Sequence, residues 1–285
     1  MDVVDPRALD GVLRRHGVRA AKSIGQHFLV DRGALAAIVD AADIGAGDDV
    51  LEIGPGPGVL TAALADRARS VTAVEIDERM VAVLRDTLGE RPNVKVVRAD
   101  ALDVDLFALG DRPPTRIVAN LPYQITTPLL ERFLGPRRPP LIVVLVQAEV
   151  ATRMVARSDN AKSPRERGYL SVFVQSFAEA RIVRRVPPRS FRPPPKVSSA
   201  IVALRTRATP AFAPLDQKAF LRFVSDVFRH RRKQLRSALG HEAGVDRASA
   251  DAALAAAGID PKRRPEELDL SEWVALATEL AVPHG

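Results

Sequence analysis

The 285-residue chain has no cysteine, which excludes a disulfide framework, a thiolate metal site and a cysteine nucleophile. It has no apolar run of spanning length, since the longest, Leu141 to Val146, falls far short of the ~20 residues a bilayer helix needs. Asp2 and Asp5 stand at the N-terminus with no apolar signal region behind them, so an unexported cytoplasmic protein with no membrane partner is expected. Internal repeats and low-complexity tails are also absent. One segment is nearly without acids: from Arg181 to Arg236 fifteen lysines and arginines face only Asp216 and Asp226. The formal charge of +7 thus conceals a local +13 and a remainder of −6. A basic half beside a mildly acidic one fits a polyanion held next to a small-molecule site; the plain alternative is a solvated arginine-rich surface.

What is present centres on Val50 to Thr61, V-L-E-I-G-P-G-P-G-V-L-T. An apolar run passes into Gly54, Gly56 and Gly58 and then into residues of helical composition, which predicts a strand, a turn and a helix start. Glycines there permit positive φ and let a ligand approach the main chain closely. The spacing is G-x-G-x-G rather than the dinucleotide pattern G-x-G-x-x-G, and no Lys-Ser or Lys-Thr pair follows to hold a triphosphate. Glu75 ends a second β-rich run 21 residues after Gly54, near the ~20 expected of an acid that binds ribose hydroxyls. A nucleoside ligand with no required phosphate fits both features, and S-adenosylmethionine meets that description.

The fold class expected is α/β. Strands are predicted near Asp49 to Ile53, Val71 to Ile76, Val94 to Arg98, Arg116 to Ala119 and Leu141 to Gln147, with helical stretches between most of them, a doubly wound and mostly parallel sheet. Met1 to Ala21 is an N-terminal helix or arm, and Asp31 is placed to cap a helix over Arg32 to Ala42. Ser158, Asn160, Ser163 and Pro164 mark a flexible connection, and two β-rich runs, Arg181 to Val186 and Val197 to Arg207, are expected to add a final hairpin. Asp216 to Leu239, Asp246 to Ala257 and Pro265 to Leu280 are helix-like. A boundary near Ala208 would separate a ligand-binding domain, 1–208, from a small helical domain, 209–285.

Asn120-Leu121-Pro122-Tyr123 follows the fourth strand, at the same sheet edge as Gly54 and Glu75. An exocyclic purine amine is a poor nucleophile because its lone pair is delocalised. An Asn oxygen and the Leu121 carbonyl could accept both amine hydrogens, Pro122 would hold that carbonyl in extended backbone, and Tyr123 could stack on an extruded base. The sulfonium leaving group needs positioning more than a general base. A strand-to-loop turn with a buried tyrosine is the alternative.

Eight motifs in order, K-S-I-G-Q-H-F-L, L-E-I-G-P-G-P-G-V-L-T, A-V-E-I-D, R-A-D-A-L, N-L-P-Y, V-Q-A-E-V-A-T-R-M, F-R-P-P-P-K-V and R-R-K-Q-L-R, make the chain resemble the ribosomal RNA adenine N6-dimethyltransferase family. The resemblance is to the branch that dimethylates two adjacent adenosines near the 3′ end of small-subunit (16S) rRNA, whose loss gives kasugamycin resistance. It implies a Rossmann-like class I methyltransferase sheet, S-adenosyl-L-methionine as cofactor, no metal, and a monomer acting on 16S rRNA in an immature 30S subunit. By the same resemblance Gly54 would meet the methionine part of the cofactor, Glu75, with Ile76 beside it, the ribose, and Asp100 the adenine amine. Gln26, His27 and Leu29, in an arm over residues 1–30, would cover it. Asn120 would stand between cofactor and target amine, with Leu121, Pro122 and Tyr123 completing the catalytic loop and Phe191 closing on the target adenine as a second aromatic wall; the alternative for Phe191 is core packing. Arg229, Arg231, Arg232, Lys233 and Arg236, along one predicted helix, would meet rRNA phosphates. His27 stands where the family commonly has Asn, and Ser198 where it often has Asp. Other functions open at this point are a non-catalytic ribosome assembly factor, an erythromycin-resistance-type enzyme acting on large-subunit rRNA, and DNA adenine methylation, for which no target-reading domain is recognisable.

Overall fold

The computed structural model describes residues 4–18, 26–159, 166–242 and 245–282. Residues 22–25 of the N-terminal motif, and Asn160, Ser163 and Pro164, lie outside them. In chain order the elements are α1 (Pro6–Arg15), β1 (Phe28–Leu29), α2 (Arg32–Ala41), β2 (Asp49–Ile53), α3 (Val59–Ala65), β3 (Ser70–Glu75), α4 (Glu78–Leu88), β4 (Val94–Arg98), β5 (Arg116–Asn120), α5 (Thr126–Phe133), β6 (Leu141–Gln147), α6 (Ala148–Val155), α7 (Tyr169–Phe177), β7 (Ala178–Val186), β8 (Phe191–Arg192), β9 (Ser199–Thr206), α8 (Gln217–Arg229), α9 (Leu235–Glu242), α10 (Arg247–Ala256) and α11 (Leu270–Glu279).

Seven strands form one sheet in the order β4-β3-β2-β5-β6-β9-β7. The pairs from β4 to β6 are parallel, and β9 runs antiparallel to β6 with Leu141 opposite Arg205 and Gln147 opposite Ser199. Strand β6 is almost wholly apolar, and β2, β5 and β6 are largely buried, as strands covered on both faces must be. The order reverses between β2 and β5, which makes their carboxyl ends the switch point where such sheets take ligands. The expected terminal hairpin is present as neighbouring β7 and β9, with β9 inserted against β6. The connection between them carries β8, which pairs antiparallel with β1 in a second, two-stranded sheet.

Aspartates start several helices. Asp31 accepts from the Ala34 amide at 2.9 Å, as expected, and Asp5, Asp77, Asp216, Asp246 and Asp269 cap α1, α4, α8, α10 and α11 in the same way, each satisfying an orphan amide of its first turn. Helix α1 buries Leu9, Val12 and Leu13 with Phe28, Val59, Met80 and Val83.

The chain divides into two compact units, one of Met1–Ala151 and Arg181–Thr206, the other of Thr152–Ala180 and Arg207–Gly285. A single boundary at Ala208 therefore leaves out a segment of the second unit. That segment belongs there because Phe177 of α7 packs edge-on against Phe212, which stacks on Phe220 of α8, with centroids 5.4 and 5.0 Å apart. Arg167, 1% exposed, donates to the carbonyls of Ala156 and Leu268 and to Gln175 Oε1; its burial lowers the guanidinium to about 10. Trp273 packs on Phe223 and Phe228 at the centre of this unit. Among the described residues no helix is long and apolar enough to cross a membrane.

Candidate active site

The glycine turn leaves the carboxyl end of β2 with φ of +65°, +54° and +84° at Gly54, Gly56 and Gly58, values that L side chains adopt only with strain. Space is as decisive as φ at the second and third. A Cβ at Gly56 would lie 3.1 Å from the Phe28 ring, and one at Gly58 would lie 3.1 Å from the Leu84 and Leu88 side chains of α4. The third glycine thus permits close element packing, as the third glycine of a dinucleotide turn does. The Gly54 amide donates to the Val74 carbonyl at 2.9 Å, which ties the turn to β3.

Above this turn opens a cavity of about 340 Å³, within the usual range for small-molecule sites. Its lining includes Gln26, His27, Leu29, Gly54, Glu75, Ile76, Asp100 and Asn120 to Tyr123. Apart from the segment around β1, these groups arrive from the carboxyl ends of β2, β3, β4 and β5. Glu75 is 8% exposed, accepts from the Asp77 amide at 3.0 Å, and has its pKa raised, chiefly by burial. Ile76 beside it is 62% exposed and presents an apolar surface on which a flat ring can rest. Asp100 accepts from the Leu102 amide at 2.8 Å.

Asn120 Nδ2 donates to the His27 carbonyl at 3.2 Å, which leaves Oδ1 as the acceptor end of the amide. His27 Nδ1 lies 2.8 Å from the Pro193 carbonyl, so this nitrogen carries the hydrogen and the ring is tethered to the proline segment. The Leu121 amide donates to Leu145 O at 3.1 Å, and the Pro122 carbonyl accepts from Ile125 N and Thr126 Oγ1. Those bonds fix the loop as it leaves β5. The Tyr123 ring stands 5.8 Å from that of His27, and burial raises its hydroxyl pKa.

Two site expectations change. Phe191 is 3% exposed and packs in the core with Leu29, Ile38 and Ile201 rather than on the cavity. The cause is the pairing of β8 with β1, which sets Phe191 opposite Leu29 and turns its ring inward. The five basic residues also do not share a helix: α8 ends at Arg229, His230 is its cap, and Arg236 belongs to α9. The break is held by Leu235 N donating to the Arg263 carbonyl at 2.8 Å. Arg231, Arg232 and Lys233 are exposed on the intervening turn, whereas Arg236 is paired with Asp251 at 2.5 Å. Ser198 is exposed, and its carbonyl accepts from Ala148 N.

One cavity residue is not signalled by the motif reading. Glu52, 1% exposed near the end of β2, lines the cavity. Burial pushes its carboxyl up to about 8, against the pull of the neighbouring Thr61 hydroxyl and with a further push from Glu75. Among the described residues neither Glu52 Oε2 nor Thr61 Oγ1 has a hydrogen-bond partner of ordinary geometry. The signal was a lone acid inside an apolar strand run.

A doubly wound sheet whose glycine turn, spaced acid and Asn-Leu-Pro-Tyr loop converge at its switch point is a Rossmann-like methyltransferase. Residues 17–281 match the family described as ribosomal RNA adenine dimethylase. The chain belongs to that family. It is 42% identical to ribosomal RNA small subunit methyltransferase A of Moorella thermoacetica, over 98% of each chain, and 40% identical to the protein of the same name from Shouchella clausii, over 98% of this chain and 96% of that one. Among solved structures it is similar to a dimethyladenosine transferase from Plasmodium falciparum, with a TM-score of 0.77 and 25% identity over 91% of this chain and all of that one. It is also similar to the 23S rRNA methyltransferase ErmE, with a TM-score of 0.68 and 32% identity over 89% and 99% of the two chains.

Proposed function

We propose that the protein transfers methyl groups from S-adenosyl-L-methionine to the N6 amine of two adjacent adenosines near the 3′ end of 16S rRNA. The reading includes an immature 30S subunit as substrate, a monomeric enzyme and a cytoplasmic site of action. The observation that carries it is the convergence of the Gly54 turn, Glu75, Asp100 and the Asn120–Tyr123 loop on one cavity.

The residues present fit the cofactor. Gly54 and Gly56 line the cavity with bare backbone, Glu75 offers a carboxylate to ribose hydroxyls, and Asp100 an acceptor to an adenine amine. Glu52, whose Oε2 has no partner among the described residues, is a lining carboxyl that a cationic amino-acid group beside it would hold ionised. When bound, the cofactor supplies an activated methyl group on a sulfonium. The protein contributes orientation. Asn120 Oδ1, fixed by the bond from Nδ2 to His27, accepts from the target amine, and the Leu121 carbonyl provides the second acceptor. Tyr123 supplies the stacking surface that holds a base outside its helix. The exposed Arg231, Arg232 and Lys233 of the basic helical unit engage phosphates.

The test is incubation with radiolabelled S-adenosylmethionine and small subunits lacking the modification, with large subunits and duplex DNA alongside, followed by nucleoside analysis. Dimethyladenosine confined to small-subunit rRNA is expected. Label in large-subunit rRNA or DNA, or no label with no cofactor binding by calorimetry, overturns the reading.

A further inference from the structure

Strand β9 begins S-A-I-V-A-L, and Ser199 is the one polar side chain in that stretch. It is fully buried, opposite Gln147 of β6. A buried hydroxyl without a partner is costly, and this one has a specific partner: Ser199 Oγ lies 2.6 Å from Tyr123 Oη. Tyr123 opens the 3-10 turn Tyr123–Ile125, whose entry is itself held through Pro122 O. The phenol is therefore gripped at both ends, at its backbone by the turn and at its hydroxyl by β9, a strand paired on both sides within the sheet. Without the second grip, rotation about χ1 would be free to shift the ring from its place in the cavity wall.

We infer that Ser199 is a positioning residue for base recognition: its hydroxyl fixes the Tyr123 ring in the orientation against which the target adenine stacks. The inference rests on the proposed function. It also gives a reason for a serine at the start of a stretch, Ser199 to Leu204, otherwise built of alanine and branched aliphatic residues. The bond contributes to methyl transfer through the ring it holds and leaves the cofactor end of the cavity untouched.

The experiment is a double-mutant cycle with Ser199→Ala and Tyr123→Phe, which delete the bond from either side while keeping the ring. Each is expected to lower kcat/KM for rRNA by about 3–10-fold, the worth of one hydrogen bond, with cofactor Kd unchanged within about twofold. The double variant should be no worse than either single. An RNA carrying 2-aminopurine at a target position gives a readout that a merely structural role would not move, since its fluorescence is quenched by stacking; quenching should weaken in both variants and vanish in Tyr123→Ala. Multiplying losses in the double variant, or unaltered quenching in Ser199→Ala, overturns the inference. If Ser199→Ala fails to fold, Tyr123→Phe with wild-type quenching and turnover overturns it equally. Tyr123→Ala with full turnover instead sinks the stacking role on which the inference rests.

Discussion

Glu52 and Asn120 each carry a prediction that a single substitution tests. The native pKa of Glu52, about 8, lies above the 4.5 of a free glutamate. Between these values the folded chain keeps a proton that the unfolded chain has released. Its contribution is therefore complete below about pH 4.5 and is lost, by up to ~1.4 kcal/mol per unit, as pH rises to about 8. Denaturant midpoints measured across this window should fall with rising pH, and the fall should flatten in Glu52→Gln; parallel profiles would contradict a protonated carboxyl. Asn120→Ala should cost turnover about 100-fold or more, as loss of an oriented polar group at a reacting centre does, with a much smaller change in cofactor Kd. Equal losses in both would remove Asn120 from the target amine. Asn120 and Tyr123 were legible because four adjacent residues carry the motif. Glu52 was not, because its burial comes from α3 and β3 packing around it. Phe191 was misplaced for a related reason: the facing of a two-residue strand is decided by its partner, and the partner β1 lies more than 160 residues away in sequence.

Among the elements, the strands of the doubly wound half were legible almost to the residue, since buried parallel strands are short apolar runs bounded by turn residues. The glycine turn was legible as a turn, but not the division of labour within it. Gly58→Ala puts a Cβ at φ +84° and 3.1 Å from Leu84 and Leu88, and should lower stability by about 1–3 kcal/mol. The check is a urea titration, in which an unchanged midpoint would show that α4 yields freely. The break between α8 and α9 had no such sequence mark. No proline or glycine stands between Arg229 and Leu235, and the helical pattern continues across it. The chain stops there because the amides of Leu235 and Arg236 are taken by carbonyls of Arg263 and Pro261, partners that a reading of local periodicity cannot see. The consequence is a turn, not a helix face, that offers Arg231, Arg232 and Lys233 to solvent.

At the scale of the whole molecule, charge is the property most readily read from composition. Several arginines of the first unit are paired, as Arg69 is with Asp49 and Arg116 with Asp48, and in the second unit Arg231 and Arg232 are exposed. Reversing Arg231 and Arg232 to glutamate should weaken rRNA binding and reduce the slope of log affinity against log salt by about one per lost phosphate contact. An unchanged slope would place the RNA surface on other residues. Domain organisation was less legible, because a unit assembled from two separated segments has no single compositional edge. The sheet order has one more effect, on synthesis. Strand β6, almost wholly apolar, emerges from the ribosome about sixty residues ahead of the end of β9, the strand that covers its open edge. At about 5–20 residues per second this leaves the edge unpaired for roughly 3–12 s in every round of translation. Throughout that interval the nascent chain presents a bare hydrophobic hydrogen-bonding template, and slowing translation between β6 and β9 is expected to lower soluble yield.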